Sequence, residues 1–244
     1  KGRAVWSPRA QIDKKLYSSY IQQKISKHKK ISIIQDEVVD FSVDKGEISA
    51  VFLRSGEAIK ASGLVVCSGT FLNGLIHIGV DCFHAGRLGE RATFKLSENL
   101  INKGFKLSRL KTGTPPRLFG PSINWDNLIS AVGDDAPVPF SIQTRLPFKP
   151  KNIPCYIVNT NTGVHNVLRD NLDKSSMYSG KIEGAGPRYC PSIEDKIVRF
   201  ADREKHQLFL EPEWNNAKQI YLNGFSTSMP RNIQERALKK ISGL

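Results

Sequence analysis

The sequence has 244 residues, of which 39% are hydrophobic, enough apolar material for one large domain or two modest ones. No apolar run approaches the roughly 18 residues that a membrane-spanning helix needs, and no signal-peptide pattern opens the sequence, so we expect no membrane segment and a cytoplasmic location. The net charge of +13 favours a polyanionic partner such as RNA, DNA or a dinucleotide, although excess lysine can also serve solubility alone.

The first predicted elements are a helix and a β-meander. The Ser-Pro pair at residues 7–8 is typical of a helix start, and Ile12, Leu16 and Tyr20 recur at four-residue spacing before the basic cluster 27–30. Short β-type runs with turn signals between them then follow at residues 31–34, 38–43, 48–53 and 58–60.

A continuous apolar run over residues 63–69 predicts a strand that is buried on both faces of a parallel sheet. Cys67 would then be a buried thiol. The strand would deliver Gly69 and Thr70 to the carboxyl edge of the sheet, where doubly wound folds bind dinucleotides.

The remaining chain has fewer regular patterns. Residues 71–150 are rich in Gly and Pro and predict an irregular insertion with one helix and one rigid turn. That helix is expected at residues 96–103 and that turn at residues 112–116; further expected elements are helices at residues 192–203 and 231–241 and a strand at residues 207–210.

The cysteine and histidine spacings do not indicate a metal site. The four cysteines, Cys67, Cys82, Cys155 and Cys190, form no Cys-x-x-Cys pair and no zinc-type cluster. We expect packing or surface roles for the scattered histidines His77, His84, His165 and His206.

Three longer segments, residues 69–79, 109–117 and 186–200, carry a resemblance to a known family. Shorter matching segments join them in the same order, at residues 85–87, 153–156, 206–213 and 223–228. On these motifs essentially the whole chain resembles the GidA (MnmG) family of bacterial flavoproteins, which modify the wobble uridine of tRNA.

The resemblance implies an α/β fold. Residues 1–118 would form part of a Rossmann-like FAD-binding domain of the glutathione-reductase type with a β-meander, and residues 119–244 an inserted α+β region for substrate and NADH. The Gly-x-Gly-x-x-Gly fingerprint that opens the family is absent from the sequence, as is the family's helical C-terminal domain. We therefore expect an internal piece of a longer protein, one that binds FAD weakly or not at all by itself.

The activity implied by the resemblance is the FAD- and NADH-dependent addition of a carboxymethylaminomethyl or aminomethyl group to carbon five of the wobble uridine. Methylene-tetrahydrofolate would supply the one-carbon unit, and glycine or ammonium the amine. The implied partners are tRNA, an MnmE-type GTPase and a second copy of the chain, together in a heterotetramer. The alternatives are a basic RNA-binding module with a vestigial dinucleotide fold and a folate- and FAD-dependent tRNA uridine methyltransferase.

Cofactor contacts carry over residue by residue from the family's motifs. Val38 would meet the adenine part of FAD through its backbone, and Gly69, Thr70 and Thr93 would line the cofactor. Family members often have Ser at the position of Thr93, which keeps the hydroxyl and adds a methyl. The implied nicotinamide-binding stretch comprises Gly186, Pro187, Arg188, Tyr189, Cys190, Pro191, Ser192, Ile193, Glu194, Asp195, Lys196, Ile197, Val198, Arg199 and Phe200.

The catalytic candidates within this stretch are Cys190 and Arg188. A neighbouring guanidinium and a helix that begins near Ser192 would both favour the thiolate. A thiolate that adds to carbon six of uracil makes carbon five nucleophilic towards a one-carbon electrophile. A buried, inert Cys190 is the alternative, and the family's second cysteine lies in a region that this sequence does not contain, so the choice of thiol stays open. Residues 193–196 offer acid–base groups or, alternatively, an exposed helix face of mixed charge.

Overall fold

The structure, a computed structural model, describes residue 7, residues 9–111, residues 113–182, residue 184 and residues 191–244. Helices and strands are mixed along the chain, in agreement with the predicted α/β class. The strands named in the described residues form a three-stranded sheet, a two-stranded hairpin and a five-stranded sheet, and every pair among them is antiparallel.

Helix α1 spans Lys14–Ser26 and begins later than the Ser-Pro pair predicts. Its N-cap is Asp13, whose carboxylate accepts hydrogen bonds from the backbone amides of Lys15 at 3.0 Å and Leu16 at 2.9 Å. A carboxylate that satisfies two otherwise unpaired amides sets the start of the helix here. The predicted apolar stripe faces solvent, and the Leu16 residue is 69% exposed.

The predicted β-meander is confirmed. Strands β1 (Val38–Asp44), β2 (Glu47–Leu53) and β3 (Ala58–Lys60) pair in sequence order. Helix α2 (Lys95–Asn102) packs on this sheet within one residue of its predicted bounds, and the amide of Asn99 donates to the Val39 carbonyl at 2.8 Å. The small core between them consists of Phe41, Val51, Leu96 and Leu100.

Two predicted strands are wrong. Residues 31–34 and 63–69 contain no strand, Val65 is 84% exposed, and the supposedly buried Cys67 is also exposed. A strand requires a neighbour to pair with its backbone amides and carbonyls, and no strand of the described residues pairs with either run. An apolar run that lacks a neighbouring strand cannot form the hydrogen-bond ladder of a β-sheet.

The region expected to be irregular contains a hairpin. Strands β4 (Leu75–Ile78) and β5 (Asp81–His84) pair from Leu75 with His84 to Ile78 with Asp81, and Gly79 in the connecting turn has φ +60°. Glycine accepts this left-handed conformation without the steric cost that other residues incur. The hairpin is central to the site described below.

The larger unit is a five-stranded sheet in the order β6-β10-β9-β8-β7. The sequence predicted only the fourth of these strands in chain order, together with the last two helices. The strands are β6 (Arg117–Phe119), β7 (Ile129–Ala131), β8 (Cys155–Asn159), β9 (Gln207–Pro212) and β10 (Gln219–Asn223). The helices are α3 (Thr162–Arg169), α4 (Ile193–Arg199) and α5 (Arg231–Leu238), with short 3₁₀ turns at Gly120–Ser122, Trp125–Asn127 and Leu172–Lys174.

The main hydrophobic core lies between this sheet and its helices. Leu208, Leu210 and Leu222 from the sheet meet Leu168 of α3 and Ile197 of α4, all of them buried. The division into domains at residue 118 stays a prediction, and it would cut through strand β6. Within the described residues, no helix is both long and apolar enough to cross a membrane.

Candidate functional site

A strip at residues 226–230, buried except at Pro230, follows β10 and connects segments from distant parts of the sequence. Its Ser226 carbonyl accepts the Ile193 amide at 2.7 Å, and its Ser228 carbonyl accepts the Gly79 amide at 2.8 Å. Backbone hydrogen bonds also join Thr227 to Thr114, at 3.1 and 3.4 Å. The strip therefore brings together the three family-type motifs at residues 69–79, 109–117 and 186–200.

The side chain of Glu194 lies beneath this strip and is fully buried. Its Oε1 atom accepts hydrogen bonds from Ser175 Oγ at 3.1 Å, Thr227 Oγ1 at 2.9 Å and the Ser228 amide at 3.0 Å. Its Oε2 atom is buried and has no hydrogen-bond partner among the described residues. The interpretation of residues 193–196 as an exposed face of mixed charge is therefore wrong for Glu194.

The start of α4 is closed by a capping box. Ser192 Oγ accepts the Asp195 amide at 3.0 Å, and the Asp195 carboxylate accepts the Ser192 amide at 3.2 Å. Because the Ile193 amide is also bonded, to Ser226, little donor capacity is left for a phosphate, and Glu194 and Asp195 put two carboxylates into the first turn. This end of the helix is an anchor rather than a phosphate site.

The two faces of α4 differ in their exposure to solvent. Ile193, Glu194 and Ile197 face the core, whereas Val198, Arg199 and Phe200 are exposed. The remaining described members of the predicted nicotinamide stretch are buried Ser192 and the half-buried residues Pro191, Asp195 and Lys196. Only the outer members have surface that a ligand could contact.

Asp195 also contacts the segment that follows the 3₁₀ turn at Leu172–Lys174. Tyr178 donates its hydroxyl to Asp195 Oδ1 at 3.2 Å. Burial, followed in importance by the adjacent Asp195 carboxylate, raises the pKa of Tyr178 to about 12. The phenol keeps its proton at neutral pH and donates it in a hydrogen bond to this carboxylate.

Gly69, Thr70 and Thr93 are brought together around one loop, residues 69–74. Thr70 Oγ1 donates to the Gly86 carbonyl at 2.6 Å, and the Thr93 amide donates to the Phe71 carbonyl at 2.9 Å. Gly69 has φ +53° and is exposed. The residues predicted to contact the flavin are thus linked by hydrogen bonds around this loop, and the outer side of the loop is exposed to solvent.

Arg109 links this loop to the chain just before the catalytic candidates. Its guanidinium donates to the Asn73 carbonyl at 2.9 Å. On its other side, a Cβ placed on Gly184 would lie only 2.5 Å from the Arg109 carbonyl oxygen, so glycine is needed for this close approach.

A pocket of about 530 Å³ lies beside the predicted flavin residues. Neighbours of Val38 and of Thr93 in the sequence line it, and it contains three cationic side chains and two aromatic rings. The lining residues are Glu37, Val39, Arg54, His84, Arg91, Ala92, Phe94 and Lys95. The rings of His84 and Phe94 meet edge to face at 4.9 Å. Cations for a diphosphate and rings for a nucleobase or isoalloxazine make this a fitting site for FAD.

Several candidate residues fall outside the described part of the chain. They are Gly186, Pro187, Arg188, Tyr189 and Cys190, so the geometry of the predicted thiol and its guanidinium is not part of the structure. Among the described cysteines, Cys82 is exposed and Cys155 is half-buried, and burial together with Glu211 raises the pKa of the Cys155 thiol. No group of three or more His, Cys, Asp or Glu residues in the described ranges is arranged to hold a metal ion.

The sequence did not predict the buried polar groups that surround Glu194. Ser175, Ser176 and Ser228 are all buried, and the sequence offers no periodic signal for them because they lie outside helices and strands. The available signal was the run of hydroxyl residues at 226–228, which the family resemblance had included without a role. Buried hydroxyl side chains in a loop must find hydrogen-bond partners. Those of Ser175 and Thr227 donate to Glu194, that of Ser228 bonds to Ser175, and that of Ser176 donates to the Gly79 carbonyl.

Comparison with known proteins places these features in a family. The family model described as "Glucose inhibited division protein A" (GIDA) matches residues 1–244. The chain is 46% identical over its full length to a protein of Thermodesulfovibrio yellowstonii named tRNA uridine 5-carboxymethylaminomethyl modification enzyme MnmG, and 45% identical to the protein of that name in Chlorobaculum tepidum.

A solved structure supports the same relationship. GidA of Aquifex aeolicus in its form I crystal matches with a TM-score of 0.90 and 44% identity, over 100% of this chain and 42% of that one. The chain spans 39% of the length of the Thermodesulfovibrio relative and 40% of the Chlorobaculum one. With a whole-chain family match, relatives above two-fifths identity and the same fold, this chain belongs to the GidA family.

Proposed function

We propose that the chain is the cofactor-binding and substrate-binding core of a flavoenzyme that modifies carbon five of the wobble uridine of tRNA. The observation that carries this proposal is the convergence of the three family-type motifs on the 226–230 strip, where Gly79, Thr114 and Ile193 are bonded to one segment. The names of the relatives support tRNA uridine as the substrate.

FAD is proposed to lie across the 69–74 loop and the pocket beside it. The backbone near Val38 would hold the adenine end, and Gly69, Thr70 and Thr93 would line the rest. Arg91 and Lys95 supply positive charge for the pyrophosphate, whereas Arg54 is paired with Glu37 at 2.9 Å. When bound, the flavin would supply two-electron redox chemistry that no side chain of the protein can provide.

NADH is proposed to reduce this flavin from the 186–200 stretch. Its contacts would come from Gly186, Pro187, Arg188, Tyr189, Cys190 and Pro191, from the outer members of α4, which are Asp195, Lys196, Val198 and Arg199, and from Phe200, which follows the helix. Ser192, Ile193, Glu194 and Ile197 are buried and would serve the stretch by anchoring it. Methylene-tetrahydrofolate is the proposed one-carbon donor.

Cys190 is proposed as the nucleophile and Arg188 as the charge that stabilises its thiolate. Addition of the sulfur to carbon six of uracil moves the electron pair of the C5–C6 double bond onto carbon five. Carbon five would then attack the methylene carbon of the folate, and one bond between that carbon and a folate nitrogen would break, its electron pair going to the nitrogen. Loss of the carbon-five proton would expel the thiolate and restore the double bond. The amine of glycine or ammonium would displace the remaining folate nitrogen, so that tetrahydrofolate leaves and the thiol is regenerated.

The proposed partners follow from charge and family. The net charge of +13 suits a tRNA backbone, and a tRNA substrate would place the protein in the cytoplasm. An MnmE-type GTPase and a second copy of the protein would complete a heterotetramer, as the family resemblance implies.

Flavin binding by the full-length protein tests the proposal. Titration with FAD should quench the flavin fluorescence to saturation, and Arg91→Ser should weaken binding by about tenfold, the effect of one lost charge-assisted hydrogen bond. Arg236→Ser, on the exposed surface of α5, is the matched control and should bind like the wild type. A full-length protein that leaves the flavin spectrum unchanged would exclude a flavoenzyme, and if it still bound tRNA the RNA-binding module would be favoured.

A further inference from the structure

Helix α1 and the turn after it form a basic segment that lies outside the proposed cofactor sites. Residues 14–35 contain six lysines and no Asp or Glu, whereas the whole sequence of 244 residues has 23 acidic residues. Of the six, Lys14 is paired with the Glu213 carboxylate at 3.2 Å, and the Lys15 ammonium lies over the Trp214 ring at 4.1 Å. The other four are exposed and form no ion pair with the part of the chain that the structure describes, and this lysine cluster comprises Lys24, Lys27, Lys29 and Lys30.

The faces of α1 differ in burial. Ile21 and Ile25, one turn apart, are half-buried, and every other residue of the helix is exposed. A neighbouring face carries Tyr17, Tyr20 and Lys24, whose spacings of three and four residues place them in one row. The two tyrosines are 53% and 57% exposed, and the Lys24 ammonium lies 5.5 Å from the centre of the Tyr20 ring. The exposed row therefore combines aromatic rings with positive charge.

The turn after α1 holds the other lysines on a hydrogen-bonded backbone. Lys27 is the C-cap of the helix, the His28 amide donates to the Ile25 carbonyl at 3.0 Å, and the Ile31 amide donates to the His28 carbonyl at 3.0 Å. The Lys30 amide donates to His28 Nδ1 at 3.3 Å. The lysine cluster therefore extends from one end of the helix and from the turn that is bonded to it.

Negative charge close to this end of α1 does not cancel the cluster. The helix dipole contributes only about half a negative charge at the C-terminal end, against four ammonium groups. Of the next two carboxylates in the sequence, Asp36 accepts the amides of Glu37 and Ser55, and Glu37 is paired with Arg54 at 2.9 Å. The surface at the end of α1 is therefore strongly positive.

The composition of this surface decides which kind of partner it fits. A protein core is unsuitable, because an ammonium group buried without a carboxylate partner is strongly unfavourable. A membrane is also unsuitable, because helices that lie in a membrane surface expose a broad apolar face, and Leu16 is the only fully exposed aliphatic residue of α1. RNA matches both features, since its phosphates pair with ammonium groups and its unpaired bases stack on aromatic rings.

We propose that the exposed row of α1 and the lysine cluster form a docking surface for tRNA. The four ammonium groups neutralise backbone phosphates, and the Tyr20 ring stacks on an unpaired base. The inference rests on the proposed function, for which the names of the relatives support tRNA as the substrate. It gives the substrate a position on the protein, which the net charge of +13 alone does not provide.

Binding of tRNA to the full-length protein at a series of salt concentrations tests the surface. The triple variant Lys27→Gln, Lys29→Gln, Lys30→Gln should bind at least about tenfold more weakly at low salt. It should also reduce the slope of log K against log salt by about two to three, because each phosphate contact contributes about one to that slope. The three positions are exposed, so we expect the variant to fold.

Two further sets of variants separate this surface from net charge. The matched control Lys218→Gln, Lys239→Gln, Lys240→Gln removes the same charge from exposed positions elsewhere, and its affinity and salt slope should stay within about threefold and about one unit of the wild type. Tyr20→Ala should weaken binding by about tenfold at an unchanged salt slope, because it removes a stacking ring and no charge. Tyr20→Phe keeps the ring and should bind like the wild type.

Lysine acetylation followed by mass spectrometry reads the surface without any substitution. In the free full-length protein, the lysine cluster should be labelled readily, because its ammonium groups are exposed. Saturation with tRNA should lower that labelling at least about fivefold, whereas the exposed Lys239 and Lys240 should be labelled as in the free protein.

The outcomes separate the two proposals. A wild-type protein that does not bind tRNA would overturn the proposed function and this inference with it. Wild-type binding that the lysine variant and Tyr20→Ala leave unchanged would overturn the docking surface alone, as would a lysine cluster that is not labelled in the free full-length protein. Cosedimentation with phosphatidylserine vesicles that only the lysine variant loses, at unchanged tRNA affinity, would assign the surface to a membrane and overturn the proposal.

Discussion

At the residue scale, the sequence could not predict which polar side chains are buried. The sequence motif places Glu194 beside Asp195 and Lys196, which favours a solvated helix face, yet Glu194 is fully buried. Its three donors come from positions 19 to 34 residues away. No pattern within the helix encodes such partners, because only the tertiary fold brings them together.

Gly79 provides a prediction at this scale. Gly79→Ala should lower the free energy of unfolding by about 2–4 kcal/mol, because a left-handed backbone position costs about 1–2 kcal/mol for alanine and the new Cβ would also collide with Pro230. Chemical denaturation of the full-length protein measures the change. Gly56→Ala, with φ +96° and nothing within 4 Å of its Cβ, is the control and should cost only the backbone share. Equal losses in the two variants would contradict the tight packing at the hairpin tip.

At the scale of elements, the sequence predicted correctly those helices and strands whose residue pattern is regular and bounded by turn residues. The meander and α2 have alternating or amphipathic patterns bounded by turn residues, and both formed close to their predicted bounds. Strands β6 and β7 have only three residues each and exist because β10 and β8 pair with them. The 63–69 run failed for the opposite reason, because it has the composition of a strand but no partner among the described residues.

The capping box of α4 leads to a second prediction. Ser192→Ala should destabilise the protein by about 1 kcal/mol, because it leaves the Asp195 amide without its acceptor. Ser62→Ala, at an exposed position in a loop, should stay within about 0.5 kcal/mol of the wild type. Urea unfolding curves for both variants provide the comparison, and a Ser192→Ala protein as stable as the control would remove the anchoring role of this cap.

At the scale of the whole molecule, two buried histidines tie the stability of the fold to pH. Burial lowers the pKa of His165 and of His206, and their rings lie 5.3 Å apart. Cationic groups nearby act in the same direction, namely Arg169 on His165, and Lys196 and Arg203 on His206, which the His165 ring also disfavours. The folded protein therefore keeps both rings neutral at pH values where the unfolded chain is already protonated.

The expected consequence is acid sensitivity that begins near pH 6.5. The unfolded histidines take up protons as the pH falls below about 6.5, so the stability from each neutral ring is present above that value and is lost below it, by at most about 1.4 kcal/mol per pH unit. Replacing His206 by Gln should flatten the loss between pH 6.5 and pH 5.5. Urea midpoints measured across this range provide the test, and a slope that the replacement leaves unchanged would show that other groups cause the sensitivity.

The central claim concerns the wobble uridine, and nucleoside mass spectrometry of tRNA tests it most directly. Cells from which the gene has been deleted should lack the carboxymethylaminomethyl-type uridine, and the full-length gene should restore it. The Cys190→Ser gene should not restore it, whereas the gene with Cys82→Ser, at an exposed thiol of β5, should. Unchanged wobble-uridine modification in the deletion strain would contradict the assignment.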